Sequence, residues 1–162
     1  MPGIHYKQII VPVDGSETAE QAMAFAANLA YCCEGSLTLL YVIPDSATPV
    51  AALRGQPGEA PSIQPIEREI EAAESQAAQG IFKKARSAIG LIRRAMSTAN
   101  VPIQEVILQG DPADAIIAYA EEQPDAMIVM GNRGLSLVRG LLLGSVSEKV
   151  VRHAPCPVTI VR

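Results

Sequence analysis

Five short, mainly apolar runs, separated by segments of helical periodicity, restrict the fold of this chain more than any other feature. The runs are Gln8-Ile9-Ile10-Val11-Pro12-Val13, Ser36 to Ile43, Ile103 to Leu108, Ala126 to Met130 and Pro157 to Val161. A strand with one wet face alternates apolar and polar residues, whereas a run apolar at nearly every position suits a strand covered on both sides. Between the runs the period changes. Ala22, Met23, Ala26, Leu29, Ala30 and Cys33 recur at three- and four-residue steps and predict an amphipathic helix from Thr18, stopped by Gly35. A long stripe from Ile66 through Ile70, Ala77, Ile81 and Ile92 to Ala95 predicts a second helix. Gly80 and Gly90 inside it each cost about 1 kcal/mol relative to Ala. Ala113, Ile116, Ile117 and Ala120 mark a third helix, and Val146, Val150 and Val151 a fourth over Ser145 to His153. Strand and helix therefore alternate along the chain. That order predicts one α/β domain over residues 1–162: a parallel sheet with helices on both faces, joined by right-handed crossovers.

Composition narrows the function. With 49% hydrophobic residues, no Trp and two Phe, the core must be aliphatic. A net charge of −4 and no basic run longer than a pair argue against nucleic acid as a partner. Lys83-Lys84 and Arg93-Arg94 read as a solvated helix face. No stretch reaches the ~18 apolar residues of a membrane span, and Met1 to Gln8 lacks the apolar region of a secretory signal. A cytoplasmic location is the expectation. Cys32, Cys33 and Cys156 cannot all pair and lack Cys-x-x-Cys spacing, so they read as small buried or half-buried residues in a reducing compartment. Asp45 to Pro65 holds four Pro and two Gly and is expected to be a flexible loop, either a plain linker or a lid over the site.

Sheets of this class bind ligands beyond the carboxyl ends of their strands. Here those ends read Val13-Asp14-Gly15-Ser16, Val42-Ile43, Leu108-Gln109-Gly110 and Met130-Gly131. The last opens Gly131-Asn132-Arg133-Gly134, followed after nine residues by Gly144-Ser145. A glycine-bounded loop that delivers backbone N–H groups and a hydroxyl to a helix N-terminus is suited to phosphate. The same residues also fit a long loop before a helix capped by Ser145. Arg133 reads either as a charge-assisted phosphate contact or as a solvated arginine. Asp14 beside polyphosphate would need a cation or a sugar hydroxyl between them; otherwise it is a turn former bonding the Ser16 backbone. Neither a Gly-x4-Gly-Lys-Ser/Thr loop nor a Gly-x-Gly-x-x-Gly fingerprint is present. Between Asn132 and Leu143 the loop offers Arg133 and Arg139 but no carboxylate, His5 and His153 stand alone, and Ser136 and Ser145 suggest no triad. Rapid catalysis is not expected, and no catalytic residue is assigned.

Taken in order, the opening Ile9 to Ser16, Tyr41-Val42-Ile43, Gly110-Asp111-Pro112, Met130-Gly131-x2-Gly134-x9-Gly144-Ser145 and Ala154 to Val161 resemble the universal stress protein family. The resemblance implies a doubly wound, Rossmann-like three-layer α/β/α fold with a five-stranded parallel sheet of order 3-2-1-4-5. It also implies the branch of the family that binds ATP, with Mg²⁺. On that reading Pro12, Val13 and Val42 line an adenine slot, with the Val42 backbone reading the base edge. Asp14 meets the ribose or, through the metal, the phosphates, and Ser16 and Met130 complete the two strand ends. Gly131, Arg133 and Gly134 lie along the ribose and α-phosphate; Gly144, Ser145, Val146 and Ser147 hold the β- and γ-phosphates. The resemblance further implies a homodimer through Val158 to Val161. The function it suggests is a nucleotide-dependent regulatory protein of the stress response. A nucleotide-independent dimeric interaction module, a slow ATPase, and AMP or a cyclic nucleotide as ligand are the alternatives.

Overall fold

The computed structural model describes residues 6–44, 101–134 and 142–162, with positions 72, 76, 77, 79–83 and 87 of the intervening segment. Five strands, β1 (Gln8–Pro12), β2 (Ser36–Ile43), β3 (Ile103–Gln109), β4 (Ala126–Gly131) and β5 (Val158–Val161), form one sheet of order β3-β2-β1-β4-β5. Every pairing is parallel. The expected doubly wound sheet is thus observed. Helices α1 (Glu17–Cys32), α2 (Pro112–Glu121) and α3 (Ser145–His153) connect it, and residues 79–83 are helical as well. The 45–65 loop and most of the 66–95 stripe lie outside the described residues.

Chain direction dictates which helix covers which face. The chain runs from β1 outward to β3, then crosses to β4 and runs outward the other way to β5. Right-handed crossovers place the helices of these two directions on opposite faces. The core is accordingly split. Ile9, Val11, Leu37 and Leu39 meet Ala22, Met23 and Ala26 of α1 and Phe82 on one face. Ile10, Leu40 and Ile128 meet Ala113, Ile116, Ala120 and Val150 on the other. The alternation of Ile9, Ile10 and Val11 between the two clusters is the two-residue period of a strand buried on both sides. Tyr41 and Phe82 pack edge to face with ring centres 6.4 Å apart, fixing the helical turn at 79–83 against β2.

Helix ends differ from the sequence expectation in three respects. The α1 helix closes with Gly35 N–H donating to Ala30 O (2.8 Å) and Glu34 N–H to Tyr31 O (3.3 Å), a Schellman arrangement. The residue in the left-handed region is Glu34, at φ +52°, not Gly35. Gly35 is required for space: a Cβ there would lie 2.8 Å from Lys7 O. Second, Cys32 and Cys33, expected to be buried or half-buried, are exposed. Third, Val151 is 45% exposed, and it is Ser147 and Val150 that α3 buries.

Candidate functional site

A cleft of about 360 Å³ opens beyond the carboxyl ends of β1, β2 and β4, where the chain switches direction across the sheet. Of the residues expected to form a site, Pro12, Val13, Asp14, Val42, Met130, Gly131, Arg133, Gly134, Gly144, Ser145, Val146 and Ser147 line it. Ser16 does not. Its hydroxyl accepts the Ala19 N–H (3.2 Å) and caps α1. Sequence reasoning missed Pro44, Pro112, Ile116 and Leu143, which close the apolar part of the cleft.

One end of the cleft presents a strand edge. Val13 N–H donates to Leu40 O (2.9 Å), and Gly110 N–H donates to Ile43 O (3.0 Å). In a parallel strand successive residues direct their backbone groups to alternate sides, so Leu40 and Val42 face β1 while Tyr41 and Ile43 face β3. The β1 ladder ends at Pro12, opposite Leu40. Val42 therefore keeps a donor and an acceptor on the side that β1 has left, flanked by the apolar Pro12, Val13, Met130 and Pro44.

The other end is built for negative charge. The first turns of α1 and α2 are capped by Ser16 and by Asp111, whose Oδ1 accepts the Ala113 and Asp114 N–H groups at 3.1 Å each. In α3 the N-cap is Gly144, not Ser145, and no side chain caps it. Its first-turn N–H groups lack intrahelical partners and carry the positive end of the helix dipole. Ser145 is exposed at the cleft rim. The Ser147 side chain is spoken for: it is 2% exposed and donates its proton to Gly131 O (2.9 Å), leaving its backbone N–H as what it can offer a ligand. Arg133 lines the cleft, and its Nε is buried without a hydrogen-bond partner.

Two unpredicted residues hold these groups. Asn132, 8% exposed, donates its backbone N–H to Val161 O (2.8 Å), accepts Gly144 N–H at 2.7 Å, and sends Nδ2 to Leu142 O (3.3 Å). It thereby closes the glycine loop on itself and ties it to β5. Thr18 donates to Arg133 O (2.5 Å) from the first turn of α1. Such contacts to main-chain oxygens leave no periodic trace in a sequence.

Asp14 Oδ1 accepts the Ser16 N–H (2.9 Å), the turn role that the sequence allowed. Its Oδ2 lies against Gly134, where a Cβ would approach it to 2.6 Å. Among the described residues no cluster of three or more His, Cys, Asp or Glu is present. A Mg²⁺ ion at Asp14 would thus take most of its oxygen ligands from phosphate and water, which suits that ion. At the rim, Lys149 bridges Asp111 (3.3 Å) and Asp114 (2.7 Å), joining α3 to α2. The Asp114 N–H bond, with help from Lys149, holds the Asp111 carboxyl below its ordinary value, and the Asp114 and Asp111 contacts raise Lys149. Burial raises the Cys156 thiol, which keeps it protonated and unreactive. Among the described residues no helix is long and apolar enough to cross a membrane.

The geometry has counterparts. The universal stress protein family model matches residues 5–162. A Thermus aquaticus universal stress protein encoded 3′ of a QAH/OAS sulfhydrylase is 35% identical over 158 residues, 97% of this chain and 99% of that one. The solved structure of UspA from Lactobacillus plantarum superposes with a TM-score of 0.77 at 30% identity, covering 99% of this chain and 100% of the other. A universal stress protein from Archaeoglobus fulgidus, solved in complex with dAMP, shares the fold at a TM-score of 0.60 and 24% identity, covering 98% and 99%. With the strand order, the cleft and the glycine loop in place along its length, the chain belongs to the universal stress protein family.

Proposed function

We propose that the cleft binds an adenine nucleotide, ATP with Mg²⁺, and that the protein is a nucleotide-dependent regulator in the stress response, working as a dimer through β5. The observation that carries this reading is the uncapped N-terminus of α3 beside the unpartnered Arg133 Nε, in the same cleft as the free edge of Val42. A phosphate would satisfy the first two groups. An adenine base would present N6–H to the Val42 carbonyl and N1 to its N–H. Guanine inverts that pattern, so GTP is expected to bind at least about tenfold more weakly. Binding of dAMP by the A. fulgidus protein supports an adenine nucleotide in this fold.

Among the described residues Asp14 is the one carboxylate lining the cleft, and one of its oxygens is engaged by the Ser16 N–H. Among the described residues no second group there is placed to activate water, and sensing is the reading we take. The test is to denature freshly purified protein, identify any released nucleotide, and titrate ATP and Mg²⁺ calorimetrically. Stoichiometric adenine nucleotide, or saturable binding, supports the reading. Empty protein that fails to bind ATP overturns it and leaves the dimeric interaction module. That second reading has its own support in the outward edge of β5, which among the described residues pairs with β4 alone.

A further inference from the structure

We infer that Thr18 is a positioning residue for the anion end of the cleft: its hydroxyl sets the orientation of the Arg133–Gly134 peptide. The inference rests on the nucleotide reading above. Thr18 stands in the first turn of α1, and its Oγ1 is 2.5 Å from Arg133 O and 3.3 Å from Ser16 Oγ. The contact is tight on the neighbouring side too. A Cβ on Gly131 would lie 2.7 Å from Thr18 Oγ1 and 2.9 Å from the Thr18 carbonyl carbon, so α1 presses directly on the end of β4.

A peptide unit is planar and trans, so its N–H points opposite to its C=O. With Arg133 O drawn toward α1, the Gly134 N–H is turned away from α1. On that side Gly134 N lies 3.8 Å from the position a Cβ on Gly144 would take, next to the uncapped start of α3. Thr18 thereby adds one main-chain donor to those of the α3 first turn. It also holds the main chain of Arg133, a residue that lines the cleft and whose Nε is buried and unpartnered. Without the hydroxyl the Arg133 carbonyl loses its acceptor bond, and the peptide is free to rotate toward another donor. Both anion contacts would then move together, while Val42 at the far end would not.

The test compares Thr18→Val, which keeps the shape and removes the donor, with Thr18→Ser, which keeps the donor. Binding of ATP and of adenosine is measured by calorimetry at low and high salt. Thr18→Val is expected to weaken ATP about fivefold or more and flatten its salt dependence, with adenosine unchanged. Thr18→Ser is expected to bind ATP as wild type does. The inference is overturned if Thr18→Val binds ATP normally, if it loses ATP and adenosine in equal proportion, or if Thr18→Ser is as weak as Thr18→Val. A wild-type protein that binds neither ATP nor adenosine overturns the nucleotide reading, and this inference with it.

Discussion

At Gly134 a methyl group would sit 2.6 Å from Asp14 Oδ2, closer than real side-chain contacts allow. At Gly131 it would meet Thr18 at 2.7 Å. Gly131, pressed by the main chain of α1, is demanded by the protein's own packing; at Gly134 the neighbour is the end of the Asp14 side chain, which must shift but can. Gly144 is different: its φ of −74° is open to any residue, and a Cβ there would come no closer than 3.4 Å to Arg133 Cα. Nothing among the described residues requires a glycine at 144, whereas the close approach of the proposed nucleotide would. Gly144→Ser should therefore behave unlike Gly134→Ala. Supplying a side-chain cap to α3, Gly144→Ser is expected to stabilise the empty protein by a few tenths of a kcal/mol (about 0.3) and to weaken ATP. Gly134→Ala, by displacing the Asp14 carboxylate, is expected to lower stability by no more than about 1 kcal/mol and to weaken ATP as well. Urea unfolding paired with calorimetry separates the two. In the sequence these glycines form one motif with one purpose; only the neighbours that the fold brings to them divide the purposes.

Elements were legible where their burial is regular. The inner strands β1, β2 and β4 announced themselves because both faces are covered, and α1 because its apolar residues keep step. The exit of α1 was misread because a left-handed Glu34 has no sequence signal and the adjacent Gly35 looks like the stop. Glu34→Gly, which relieves the left-handed φ, is expected to raise stability by about 1 kcal/mol in urea unfolding. The contact between α2 and α3 was not legible, since Asp111 and Lys149 lie far apart in the chain. The Asp111 pKa is depressed below 3.8, so its contribution is complete above that value and is lost as pH falls through the lower folded value. Lys149 is raised above 10.5; its share is complete below that value and is lost as pH rises through the higher folded one. Asp111→Asn keeps a capping oxygen but cannot ionise. Its stability deficit relative to wild type should shrink as pH falls below about 4, as read by thermal unfolding across that range.

For the molecule as a whole, strand order determines both the cleft and the edges. The place of the cleft, at the carboxyl ends of β1, β2 and β4, was legible because a switch point follows from the element order; the individual lining residues came from the family resemblance. Pro44, Pro112, Ile116 and Leu143 were missed because nothing in their local sequence marks convergence on the same opening. The β5 edge follows the same parity rule as β2. Pro157 O and Val161 O accept bonds from Ile128 N–H and Asn132 N–H, so Val158 and Ile160 direct their backbone groups outward. Ile160→Pro removes an outward N–H without touching the ladder to β4. If two copies pair along β5, light scattering after gel filtration should show that variant shifted from dimer to monomer with its far-ultraviolet dichroism retained.

The peptide groups of Asn132 serve the last rung of the ladder to β5 and the closure of the glycine loop at Gly144 at once. A partner strand that stiffens β5 would therefore stiffen the loop, and a phosphate held at Gly144 would steady the edge. Such coupling is reciprocal: by whatever factor dimerisation tightens ligand, ligand must tighten the dimer. A molecule wired this way would report its ligand through its stoichiometry, with no moving domain and no chemistry performed.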